Sequence, residues 1–115
     1  MDILAQKIDS LDLKKSKFLM NDEMVKAVVD IEKSLVAVDA ELHADLEQLL
    51  LKNGSNQFNL WGINLYPDEK LIEFDSMINI RPTQGNRSHS VEDEKIKSKI
   101  IQVIGDWTDD DWAEY

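Results

Sequence analysis

Val25-Lys-Ala-Val-Val-Asp-Ile-Glu-Lys-Ser-Leu-Val-Ala-Val38 is the stretch on which the fold turns. Val25, Ala27, Val29 and Ile31 share one side of an extended chain, with Lys26, Asp30 and Glu32 on the other. That period of two, in a segment rich in β-branched residues, is the signature of a strand. Glu32-Lys33-Ser34 supplies a turn and Leu35-Val-Ala-Val38 returns, so residues 25–38 read as a β-hairpin.

Working downstream, Asp39 is placed to cap a helix over 40–52, in which Leu42, Leu46, Leu49 and Leu50 recur on one stripe. Asn53-Gly54 offers the left-handed stop that helices often use. Residues 60–66 (Leu-Trp-Gly-Ile-Asn-Leu-Tyr) read as a strand ended by Pro67-Asp68. The next strand is expected to be long, Lys70 to Arg81, with Ile72, Phe74, Ile78 and Ile80 pointing one way and Pro82 stopping it. Residues 82–90 form a polar loop. Ser90 is read as the cap of a last helix, with Asp93 three residues on and Ile96, Ile100, Val103 and Ile104 as its buried stripe. Upstream, residues 3–8 suit a short strand and Ser10 a helix over 10–20. The resulting order is β-α-β-β-α-β-β-α. It predicts an α+β two-layer sandwich, with a largely antiparallel sheet and helices mainly on one face.

The chain has 115 residues, the size of one domain. We expect residues 1–105 to form that domain and residues 106–115 to be an acidic aromatic tail without helix or strand spacing. With no cysteine, disulfides, thiolate metal sites and thiol nucleophiles are excluded. No apolar run is long enough to span a bilayer and the first residues lack a signal-peptide pattern, so no membrane association and a cytoplasmic location are the expectation. Lys and Arg total 13 against 23 Asp and Glu, a net charge of −10. Phosphate backbones repel such a chain, which disfavours nucleic acid as a partner.

Chemistry-bearing residues concentrate on the expected long strand. Glu73, Asp75, Asn79 and Arg81 fall at even intervals opposite its apolar face, and Asn64 and Tyr66 share a parity on the preceding strand. Gln84, Asn86, Arg87 and His89 follow in the loop. Glu73 and Asp75 are candidate metal ligands or acid–base groups, and Arg81 and Arg87 suit an anion. Asn64, Asn79, Gln84 and Asn86 complete a candidate ligand-binding set. The same residues also fit a polar sheet face that merely meets water. His43, in Glu41-Leu-His-Ala-Asp45, sits at the edge of the helix stripe and is a catalytic candidate that gains weight only if the fold brings it beside Asp75 or Arg81. Trp61 reads as core. Phosphate-binding glycine loops, His-Glu-x-x-His and Gly-x-Ser-x-Gly are absent from the sequence, and no cofactor is indicated.

Three segments together, Glu41–Asp45, Gly54-Ser with Leu60–Pro67, and Ile72–Pro82 with Gly85–Ser88, resemble a small prokaryotic family known only as a domain of unknown function. The resemblance runs from about Val25 to Ile104 and omits the first twenty residues and the tail. It implies neither a reaction nor a site. The leading expectation is therefore a protein-binding or regulatory accessory module. The alternative is a small metal- or phosphate-binding enzyme on the polar face, and a third reading is a homodimer joined through that face or an edge strand.

Overall fold

A computed structural model describes residues 2–4 and 24–115. The helix expected over 10–20, and residues 5–8 of the first expected strand, lie outside the described residues. The described elements are β1 (Asp2–Leu4), β2 (Val25–Asp30), β3 (Leu35–Val38), α1 (His43–Lys52), β4 (Leu60–Tyr66), β5 (Leu71–Glu73), α2 (Glu94–Thr108) and β6 (Ala113–Glu114). They build a six-stranded α+β sheet in the order β1-β3-β2-β4-β5-β6. Every pairing is antiparallel except β5 with β6.

The hairpin forms as the alternation requires, with Val28 opposite Ala37 and Asp30 opposite Leu35. Its turn is organised by Asp30, which is 1% exposed. Asp30 Oδ1 accepts the amides of Glu32 and Lys33 at 3.0 and 2.9 Å, and Oδ2 accepts the Ser55 hydroxyl at 2.7 Å. One carboxylate thus ties the turn to the end of α1.

The helices do not share a face, contrary to expectation. Val25, Ala27 and Val29 of β2 pack with Trp61, Ile63, Leu65, Ile72 and Phe74 beneath α2, which contributes Ile100, Val103, Ile104 and Trp107. Val28, Ala37 and Leu60 point the other way, beneath Leu46 and Leu50 of α1. The sequence sign was Val28, an apolar residue on the side of β2 otherwise read as polar. Each large aliphatic side chain fully buried here stabilises by about 1.5–3 kcal/mol, so both layers matter to stability.

Helix α1 starts later than expected and turned about its axis. Asp39 does not cap it; its φ of 72° places it in the left-handed region. Leu42 occupies the N-cap position without a side-chain bond and is 57% exposed. The buried stripe is His43, Leu46, Glu47 and Leu50, with His43 taking the place expected of Leu42. Helix α2 likewise begins after Ser90: Asp93 is its cap, its side chain accepting the Lys95 amide at 2.8 Å.

The long strand is the largest departure. Pairing with β4 ends at Glu73, and the chain then folds into short 3-10 turns at Met77–Asn79 and Pro82–Gln84. The cause lies in the side chains. The Ser76 hydroxyl accepts the Ile78 amide. The Asn79 carboxamide takes the place of a neighbouring strand, its Oδ1 accepting Gly62 N–H at 2.8 Å and its Nδ2 donating to the Gly62 carbonyl at 2.9 Å. Gly62 must be glycine for this approach, since a Cβ there would stand 2.5 Å from Ser76 Oγ.

The C-terminal residues also differ from the expected tail. Helix α2 continues through Trp107 to Thr108, and Asp109 turns the chain at φ 59°. Trp112 is 7% exposed, its indole N–H donating to Thr108 Oγ1 at 2.7 Å. Ala113 and Tyr115 then donate their amides to the carbonyls of Lys70 and Ile72. Two buried indoles thus anchor the acidic residues against the sheet. Among the described residues, no helix is long and apolar enough to cross a membrane.

Candidate functional site

Strand register lines up Lys26 of β2, Asn64 of β4 and Glu73 of β5 as successive cross-strand partners. The row lies on the α1 side of the sheet, because Leu65 and Ile72, one residue along, face α2. Where the row ends, the first turn of α1 and the turn after β5 stand apart and leave a cleft of about 470 Å³. Its lining includes Lys26, His43, Asn64, Glu73, Asp75 and His89, with Met24, Leu42, Met77 and Ile78 as apolar neighbours.

The floor is polar and ordered. Asn64 Nδ2 donates to Glu73 Oε1 at 2.8 Å and reaches the Asp75 carbonyl at 3.3 Å. The Tyr66 hydroxyl donates to the same Glu73 oxygen at 3.2 Å. Burial, and then the nearby Glu73 carboxylate, pushes the Tyr66 phenol up to about 12, so it remains a donor at any physiological pH. Asp75 and His89 pair across 3.3 Å at the open side. Asn64 Oδ1 is buried and has no hydrogen-bond partner among the described residues.

His43 lines the same cleft as Asp75, the proximity that adds weight to it as a candidate. Its Nε2 lies 2.8 Å from the Ile63 carbonyl. A carbonyl only accepts, so Nε2 carries the hydrogen and a neutral ring keeps its lone pair on Nδ1. Burial holds the ring below its ordinary value of 6.5, with Lys26 adding to the effect, and outweighs the Ile63 carbonyl, Asp75 and a hydrogen bond that the charged ring makes with the Asn64 side chain.

The remaining predicted residues lie elsewhere. Asn79 is wholly buried as the strand substitute described above. Arg81 is 7% exposed and its guanidinium is consumed: Nε donates to the Ile78 carbonyl, Nη1 to Gln57, and Nη2 to Leu60. Glu47 balances its charge at 3.5 Å, and the guanidinium carbon sits 4.7 Å from the centre of the Trp61 ring. Asn86 is buried, its Nδ2 bonding the carbonyls of Asn79, Ser88 and Ser90. Gln84 bonds the Phe58 carbonyl. Arg87 is exposed on the surface. The two arginines therefore do not converge as an anion clamp. Among the described residues no three His, Cys, Asp or Glu side chains group so that they could hold a metal ion.

Sequence reasoning missed Lys26, Leu42 and Met77 as cleft residues. The signal for Lys26 was its lone charge beside Val25 and Ala27, and the register needed to use it came only from the folded sheet. No curated protein and no solved structure matches this chain. A family pattern does match, over residues 2–107, reaching nearer the N-terminus than the quoted segments. The chain with this cleft belongs to that family, DUF5674, a protein family of unknown function.

Proposed function

We propose that this protein is a binding module that engages a partner protein at the cleft between α1 and the turn after β5. The observation that carries the reading is Asn64 Oδ1, a buried acceptor beside an apolar rim that has no partner among the described residues while the His43 ring is neutral, the state that burial favours. Native structures pair such atoms, and leaving one unmade costs on the order of 1–3 kcal/mol. A partner supplying the donor recovers that cost. Exposed Leu42 and Met77, at 57% and 75%, add the apolar surface that interfaces favour at their centre.

The test is site-specific photo-crosslinking in cells, with the reactive group at Met77 and a control at exposed Lys99 on α2. The reading expects discrete protein adducts from position 77 that Lys99 does not give. Equal labelling from both positions, or none from 77, refutes it.

A catalytic alternative draws on His43 alone, whose neutral, anchored ring has the state a general base needs. It expects His43→Gln to abolish turnover of a bound ligand while leaving its affinity intact; parallel loss of both would assign His43 to binding.

A further inference from the structure

The polar atoms around the cleft are unequal in kind. The Asn64 amide has one tenable orientation, because flipping it would set its oxygen against the Glu73 carboxylate and the Asp75 carbonyl, both acceptors. Its Oδ1 is therefore the unpartnered atom, on a side chain 6% exposed. Glu73 takes its two bonds from described residues on one oxygen, Oε1. Asp75 stands at the open side with its side chain 56% exposed. Against these acceptors the lining sets Lys26 and His89 as donors, and His43 toward Asn64 only when its ring is protonated, which burial disfavours. The shortage is of donors.

We infer that the cleft takes the cationic head of an arginine or lysine side chain presented by a partner protein, which rests on the binding-module reading above. An ammonium brings three donors and a guanidinium five, with no acceptor to clash with the floor. The methylene stem of such a side chain packs along Leu42, Met77 and Ile78 while its head reaches the carboxylates. The chain's net charge of −10 draws a basic partner toward it over longer range. An anionic ligand would meet two carboxylates, and an apolar one would leave Asn64 Oδ1 unpaired. Burial keeping His43 uncharged fits the same picture, since a second cation there would compete.

The experiment titrates the isotopically labelled full chain with capped pentapeptides whose central residue is arginine, lysine or citrulline, the last isosteric with arginine but neutral. The arginine and lysine peptides are expected to shift the Asn64 side-chain amide and the Met77 backbone resonance. The citrulline peptide should bind at least about tenfold more weakly, and Asp75→Asn should weaken the arginine peptide by about the same factor, since charged hydrogen bonds are lost in both. Asp75 is exposed enough for that variant to fold; Glu73→Gln is the second. Equal binding of arginine and citrulline peptides overturns the cation while leaving a binding cleft. No shift with any peptide up to about 5 mM, a negligible affinity, overturns it outright, and the Met77 crosslink then decides separately whether the module reading stands.

Discussion

Replacing Asn79 by alanine removes three hydrogen bonds at once: Gly62 N–H to Oδ1 at 2.8 Å, and Nδ2 to the carbonyls of Gly62 and His89 at 2.9 and 3.0 Å. All three partners are backbone groups, and Asn79 is 0% exposed, so water has no ready route to replace it. Each bond contributes about 1 kcal/mol net, and an orphaned buried group costs somewhat more, so the expected destabilisation is about 3–4 kcal/mol. For a chain of 115 residues that corresponds to a fall in Tm of roughly 10–15 °C. Chemical denaturation of wild type, Asn79→Ala and Asn79→Asp measures it. The aspartate keeps the bond from Gly62 N–H but sets a carboxylate oxygen against two carbonyls, so it should be no more stable than alanine. If Asn79→Ala stays within about 1 kcal/mol of wild type, less than one orphaned group should cost, the carboxamide is not standing in for a strand and the argument fails.

Gly62→Ala forces a Cβ to 2.6 Å from the Ser76 Cβ; a loss of about 2–3 kcal/mol is expected, as for overpacking, and a neutral result in urea melts would refute the close approach. Trp112→Ala should cost about 3 kcal/mol through the cavity it leaves and release β6. Amide exchange reads this directly, because Ala113 and Tyr115 should lose protection while β2 keeps it; unchanged protection at both would mean the indole is not the anchor. Burial lowers the folded-state pKa of His43 below 6.5, so the unfolded chain binds that proton more readily. The His43 contribution is therefore complete above pH 6.5, declines as pH falls through it, and levels off below the folded-state value. Between about pH 7.5 and about pH 5.5 wild type should lose more stability than His43→Gln, and equal losses would remove His43 from the account.

How much of this was legible depended on where side chains compete with the backbone. The hairpin and β4 followed their alternation because the side chain in the hairpin that bonds main-chain amides, Asp30, closes the turn and leaves the strand ladder intact. Residues 74–81 carry an equally regular alternation, but Ser76, Asn79 and Arg81 bond backbone groups and draw the chain out of the sheet. Propensity and period see apolar spacing, not the destination of a carboxamide. For the same reason Asn79 and Arg81 looked like ligand residues when they are scaffold. His43, Asn64, Glu73 and Asp75 were visible as polar residues, yet their convergence needs the β2–β4–β5 register and the rotation of α1. Helix α2 was read too short because the aspartates around Trp107 masked it, although Ile100, Val103, Ile104 and Trp107 keep helical spacing.

The Asp30 carboxylate bears on the order of events in folding. Its bonds to the amides of Glu32 and Lys33 span two and three residues, whereas the bond from Ser55 spans 25. We expect the first pair to form on the timescale of hairpin closure, about 1–10 μs, before α1 docks. The second waits for α1 to dock. One side chain therefore acts at two stages, so removing it slows refolding, while Ser55→Ala mainly speeds unfolding. Chevron kinetics separate the two, and a β2–β3 turn that closes first presents the docking helix with a finished edge instead of a loose strand.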